Sequence, residues 1–120
     1  MTTCIKRYID IPFAHRQPAH MGHCRFIHGH NWSFEFEFEC REKDECGFVV
    51  DFGGLVPLKE WLGTLDHALV LNHDDPLLNM WELQAVLAAT QCDGAAKTNL
   101  LTVKDCSCEG LAEWALAEAN

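Results

Sequence analysis

The chain has 120 residues, 48% of them hydrophobic, and a formal net charge of -9 from 18 acidic and 9 basic side chains. That length makes one domain (1–120) with a modest core, which a metal or oligomerisation would help to hold together. The acidic balance argues against nucleic acid and anionic membrane surfaces; no apolar run approaches the roughly 20 residues of a membrane span, and the N-terminus lacks a signal-peptide core, so the cytoplasm is the expected location.

The first predicted element is a strand over 4–14. Residues i and i+2 of a strand share a face, and the odd positions Ile5, Ile9, Ile11 and Phe13 make an apolar face that ends in His15, interrupted by Arg7. A loop rich in His and Gly follows from Gln17 to Ile27, and a second strand covers 29–40. From His28 to Phe38 the even positions read His28, His30, Trp32, Phe34, Phe36 and Phe38, while Asn31, Ser33, Glu35, Glu37 and Glu39 take the odd ones. Arg41 to Gly47 is a charged turn, Phe48-Val49-Val50 a short extended piece, and Asp51 a helix cap. Leu55, Leu58, Leu62 and Leu65 recur at helical spacing, with Pro57 tolerable when the helix starts near Gly54. Asp74-Asp75-Pro76 marks a turn, Leu77 to Thr90 is apolar enough for another short helix, and Asn99 to Val103 reads as a brief strand. A last helix begins near Cys108, with Ser107 as N-cap and Leu111, Trp114, Ala115 and Glu118 along one side. Outer strands with helices between them read as α+β.

His28 and His30 share the buried side of their strand with a tryptophan and three phenylalanines, where an unpaired polar group costs roughly 1–3 kcal/mol. His15, at the end of the neighbouring strand, brings a third ring. Three neutral imidazoles leave the fourth tetrahedral position of a zinc ion open, the pattern of a catalytic site; the competing reading is three core histidines bonded to carbonyls. Cys24 precedes His28 by four residues, and a thiol beside a cation loses its proton more readily; the plainer alternative is a buried thiol. Asp66-His67 pairs a carboxylate with an imidazole suited to proton transfer, although most adjacent Asp-His pairs are surface residues. Arg7, Arg16 and Arg25 make either a local positive pocket for a small anion or three solvated surface charges. Seven cysteines, an odd count without repeated CxxC spacing, indicate neither a disulfide framework nor a four-cysteine zinc site. Cys40 with Cys46, and Cys106 with Cys108, are weaker candidates for metal binding or oxidation, and in a reducing compartment most of these thiols are small buried hydrophobes.

Taken in order, Phe13-Ala14-His15, Cys24-x-x-x-His28-Gly29-His30, Val50-Asp51-Phe52, Leu65-Asp66-His67, Leu71-Asn72 and Ser107-Cys108-Glu109-Gly110-Leu111-Ala112 resemble the 6-pyruvoyltetrahydropterin synthase and 6-carboxytetrahydropterin synthase family along essentially the whole chain. The Cys-x-x-x-His-Gly-His element is the specific part. The resemblance implies a tunnelling fold: an antiparallel sheet with helices on one face, trimers that close their sheets into a barrel, and a hexamer of two stacked trimers with sites between subunits. It implies Zn²⁺ on His15, His28 and His30, Cys24 as general base, Asp66 with His67 as a proton relay, and Glu109 in contact with the pterin. The implied activity is that of a zinc-dependent lyase acting on 7,8-dihydroneopterin triphosphate. The expected product is 6-carboxy-5,6,7,8-tetrahydropterin, of the queuosine and deazapurine route, because the compact loop before the histidines looks like that of bacterial members; 6-pyruvoyltetrahydropterin is the alternative. Cys24 disfavours simple side-chain cleavage, which goes with a glutamate at that position. Family members continue after the last helix with two more strands that bear a pterin-gripping glutamate. A chain incomplete at its C-terminus, with that strand pair missing, zinc bound and catalysis impaired, is therefore the expectation. A small cupin-like barrel is the remaining alternative, but it would need a Glu and a further His on downstream strands, whereas His67 and His73 fall around a helix end.

Overall fold

Alternation of apolar and polar residues through the first forty positions produces one long hairpin. In a computed structural model that describes residues 1–90 and 100–120, β1 spans Thr2–His15 and β2 spans His28–Cys40. They pair antiparallel, with Ile11 opposite Trp32, Phe13 opposite His30 and His15 opposite His28. The register shifts by one residue between Tyr8 and Ile11, and Asp10 takes a positive φ of 60° there. Such a bulge reverses which residues face the core. Before it the even residues Cys4, Lys6 and Tyr8 lie opposite Phe38, Phe36 and Phe34; after it the odd residues Ile11, Phe13 and His15 take over. The single odd-numbered apolar face expected from the sequence is therefore corrected. Ile5 and Ile9 are 55% and 59% exposed on the far face, alongside Arg7, which pairs with Glu35 at 2.7 Å. Asn31 Nδ2 donates to Asp10 Oδ1 at 3.0 Å and pins the bulge across the strands.

After β2 the chain makes bends where a short extended piece was expected at Phe48-Val49-Val50. Asp44 explains the difference: its Oδ1 accepts from the N–H groups of Cys46 and Phe48 at 2.9 Å each, so the segment folds back on itself instead of pairing. Asp51 does cap the next element, accepting from Gly53 N at 2.9 Å. A 3₁₀ turn, Phe52–Leu55, leads into α1, Val56–Gly63, with Pro57 in its first turn. Leu58 and Leu62 are buried on α1, and Leu65, in the turn beyond it, is fully buried. The apolar stretch from Leu77 divides into a 3₁₀ turn, Pro76–Asn79, and α2, Trp81–Thr90, separated by Met80 in an extended conformation.

The strand β3, Leu69–Asn72, was not expected. It pairs parallel with the end of β1 and with β4, Leu100–Val103, giving a sheet ordered β2-β1-β3-β4. Asn99, placed in the expected strand, lies outside the described residues. The last helix, α3, spans Cys108–Ala119, and Ser107 Oγ accepts from Gly110 N at 3.0 Å as its cap. Ile11, Phe13, Phe34 and Phe36 from the sheet, Leu58 and Leu62 from α1, Val70, Val103, and Leu111 and Ala115 from α3 form one core. Each large side chain there contributes about 1.5–3 kcal/mol. Trp61 of α1 meets Trp114 of α3 edge-on at 4.8 Å and ties the two helices together over that face. The chain is thus α+β. No described helix is long and apolar enough to cross a membrane.

Candidate metal centre

The hairpin's register puts three imidazoles at one end of the core face. His15 and His28 are direct cross-strand partners, and His30 is two residues along the same side. Their ring centroids lie 4.6, 5.3 and 4.8 Å apart, and one ligand atom from each ring lies within 4.8 Å of the other two. Trp32 packs edge-on against His15 and His30 at 4.9 and 5.0 Å. Its indole is fixed by stacking on Phe13, 4.6 Å between centroids and 7° between planes, and by donation from Nε1 to the Phe13 carbonyl at 3.1 Å.

Hydrogen bonds set the tautomers. His15 Nδ1 stands 2.6 Å from the Cys106 carbonyl and His28 Nδ1 2.7 Å from the Phe26 carbonyl. A carbonyl only accepts, so Nδ1 carries a proton in both rings, and in the neutral form of each the lone pair is on Nε2. The carbonyl bonds of ordinary core histidines are therefore present, yet they use one nitrogen per ring. Burial lowers the pKa of His15, opposed by the Cys106 carbonyl and reinforced by the two neighbouring histidines, and the neutral ring is the form that ligates. The three imidazoles, two of them oriented by carbonyls, offer a metal ion one nitrogen donor each. Among the described residues this is the one such grouping of three or more His, Cys, Asp or Glu side chains.

Several supports of the site escaped the sequence. Cys106 is fully buried; its N–H donates to Asn72 Oδ1 at 2.8 Å and its thiol to the Arg16 carbonyl at 3.0 Å. Burial raises the pKa of that thiol, which keeps it a donor. Leu71-Asn72 was legible as part of a motif, but nothing local to it announced a contact with Cys106. The three arginines are engaged separately: Arg7 pairs with Glu35, Arg16 with Asp75, and Arg25 lies over the Phe26 ring at 5.0 Å.

The other expected residues are placed as follows. Cys24 sits half-buried in a 3₁₀ turn, His23–Arg25, and its carbonyl accepts from Gln17 N at 2.6 Å; it stands outside the group of three histidines. Glu109 is exposed in the first turn of α3, three residues beyond the Cys106 carbonyl that holds His15. Asp66 and His67 are joined by a 2.5 Å hydrogen bond. His67 has a φ of 62° and donates its N–H to the Pro12 carbonyl at 2.7 Å. Its side chain is 82% exposed, and it lines a shallow depression of about 430 Å³ with Pro12, Phe13, Ala14, Gly29, His30 and Asn31. Along the strands Pro12, Ala14 and Asn31 alternate with Phe13, His15, His28 and His30, so these two sets of side chains face opposite ways. His67 thus shares this depression with His30 yet stands, like Asp66, outside the group of three histidines.

A two-stranded hairpin with a His-x-His on one strand and a third histidine at the end of the other, under two helices, defines an α+β protein of the tunnelling-fold type with a site that could hold a metal. The chain matches, over residues 4–120, the family model described as 6-pyruvoyl tetrahydropterin synthase, and it belongs to that family. It is similar to the 6-carboxy-5,6,7,8-tetrahydropterin synthase of Rickettsia typhi (strain ATCC VR-144 / Wilmington), 38% identical over 77 residues that make up 62% of this chain and 55% of the relative. The protein of the same name from Rickettsia conorii (strain ATCC VR-613 / Malish 7) is 36% identical over the same shares. A probable 6-carboxy-5,6,7,8-tetrahydropterin synthase of Halobacterium salinarum (strain ATCC 29341 / DSM 671 / R1) is 36% identical over 74 residues, 61% of this chain and 46% of the relative. The chain spans about half the length of the curated relatives it matches.

Proposed function

We propose that this chain holds zinc on His15, His28 and His30 and takes part in making 6-carboxy-5,6,7,8-tetrahydropterin from 7,8-dihydroneopterin triphosphate. The observation that carries the reading is the convergence of three imidazoles, two with Nδ1 committed to a carbonyl; the names of the relatives supply the product class. Zinc bound there would act as a Lewis acid, lowering the pKa of substrate hydroxyls. Cys24 is the general base that takes the substrate proton, and the Gln17–Cys24 backbone bond ties its turn to the end of β1. Glu109, exposed at the start of α3, contacts the pterin. Asp66 orients His67 through their hydrogen bond, and the pair, with the His67 side chain 82% exposed, relays protons at a site shared with a neighbouring copy. This reading makes the working unit a homo-oligomer, a trimer or hexamer, with small-molecule substrate at its subunit boundaries.

The test is to incubate zinc-loaded protein with 7,8-dihydroneopterin triphosphate and identify products by mass spectrometry. The carboxy product supports the proposal; a pyruvoyl product moves the chain to the other branch of its family; zinc bound without product leaves a catalytically impaired binding domain. In the same assay Cys24→Ala is expected to keep zinc and lose about 100-fold or more of its turnover. Full activity in that variant would remove Cys24 from the base role.

A further inference from the structure

Asp75 is the only buried carboxylate among the described residues, 1% exposed. Its oxygens receive Arg16 Nε and Nη2 at 2.6 Å each, and Oδ1 also receives the Leu77 N–H at 2.9 Å. The third guanidinium nitrogen, Nη1, donates to the Arg25 carbonyl at 3.4 Å, one residue past Cys24. The backbone on either side of this side chain is engaged as well. The Arg16 carbonyl accepts the Cys106 thiol, whose own carbonyl holds His15, and the next N–H, of Gln17, binds the Cys24 carbonyl. Three stretches distant in sequence meet at this residue: the loop that bears Cys24, the turn after β3, and the lead into α3.

Buried ion pairs add little net stability relative to apolar packing, since removing two charges from water offsets most of their attraction. What a two-pronged guanidinium–carboxylate pair does supply is a fixed relative orientation of the segments it joins. We propose that the Arg16–Asp75 pair is a positioning device for the metal centre, holding the Cys24 turn and the Cys106 carbonyl in place around His15, and that Arg16 is not a ligand of substrate phosphate. The part concerning Cys24 rests on the proposed function; the part concerning the Cys106 carbonyl and His15 does not.

Arg16→Lys keeps the charge and loses the fork, and Asp75→Asn keeps the shape and loses the charge, so either variant tests the proposal if the other fails to fold. Arg7→Ala, at the exposed pair on the far face, is the control. Three quantities are measured without substrate: zinc affinity against a chromophoric chelator, the visible bands of the cobalt(II)-substituted protein, and the iodoacetamide alkylation rate of Cys24 followed by peptide mass. In the folded variants zinc affinity is expected to fall 10–100-fold, with shifted cobalt bands and a Cys24 alkylation rate changed at least threefold, while Arg7→Ala matches the wild type. With substrate, kcat falls and KM stays within threefold. Unchanged zinc affinity, cobalt bands and alkylation rate would overturn the proposal, and a rise in KM alone would assign Arg16 to substrate. An inactive wild type would sink the proposed reaction and leave the zinc and cobalt readouts to decide this inference separately.

Discussion

Gly110→Ala puts the link between α3 and the metal centre under direct strain. Gly110 is buried in the first turn of α3, and its N–H is the one capped by Ser107 Oγ. A Cβ there would overlap the Asp105 carbonyl oxygen outright and stand 2.6 Å from Asp105 Cβ and Cγ. The obstacle is backbone, and Asp105 is itself held by Ser107, whose N–H and Oγ bond its carboxylate at 2.9 and 2.8 Å. Relief therefore requires the start of α3 to move by about 1 Å, since overpacked interiors relieve themselves by backbone shifts costing about 1–3 kcal/mol. Weakening of the cap adds about 1 kcal/mol, and the better helix propensity of alanine returns about the same. The net expectation is a loss of about 1–3 kcal/mol, or a fall in Tm of roughly 4–12 °C for a domain of this size. Cys106 sits in the displaced segment with its carbonyl on His15, so zinc affinity falls about tenfold as well. Thermal melts with and without zinc, together with chelator competition, measure both effects. A variant that melts within about 2 °C of the wild type and binds zinc equally well would refute the claim that packing at the start of α3 orients His15.

The bulge in β1 makes opposite demands on two isoleucines. Ile11→Ala is expected to cost about 2–4 kcal/mol and Ile9→Ala less than about 1 kcal/mol in urea denaturation, since 9% of Ile11 is exposed against 59% of Ile9; equal costs would contradict the reversed alternation. The acid limb of stability has a definite sign at Asp75. Burial pushes its carboxyl up, but the Arg16 fork and the Leu77 N–H together hold its pKa below the usual carboxylate value. The unfolded chain then takes the extra proton, so the contribution is complete above about pH 4 and is lost as pH falls through the folded pKa. The stability gap between wild type and Asp75→Asn should accordingly narrow below about pH 4; a gap that widens on acidification would contradict the assignment.

The residues that carry the site were legible because strand period alone decides them. Once 28–38 is a strand, His28 and His30 must share a side with Trp32, and antiparallel pairing brings the end of the first strand to them. The bulge was not legible, because Ile9 and Ile11 are chemically alike and only the Asp10 backbone separates their environments. β3 escaped for a different reason: its adjacent residues Val70 and Leu71 are both buried, and the apolar run Ala68-Leu69-Val70-Leu71 carries no alternation, so it reads equally well as a piece of helix. Asp75 lies 59 residues from Arg16, and contacts at such separations leave no local pattern. The Asp66–His67 pair was legible as a pair, whereas the positive φ of His67 and its bond to the Pro12 carbonyl were not.

The most direct test of the metal centre is a zinc titration of the metal-free protein against a chromophoric chelator, run beside His28→Ala, with circular dichroism to verify that both are folded. The expected result is one tightly bound zinc per chain, with affinity at least 100-fold lower in the folded variant. A wild type that takes up no zinc, or a His28→Ala protein that binds it equally well, would contradict the three-histidine assignment.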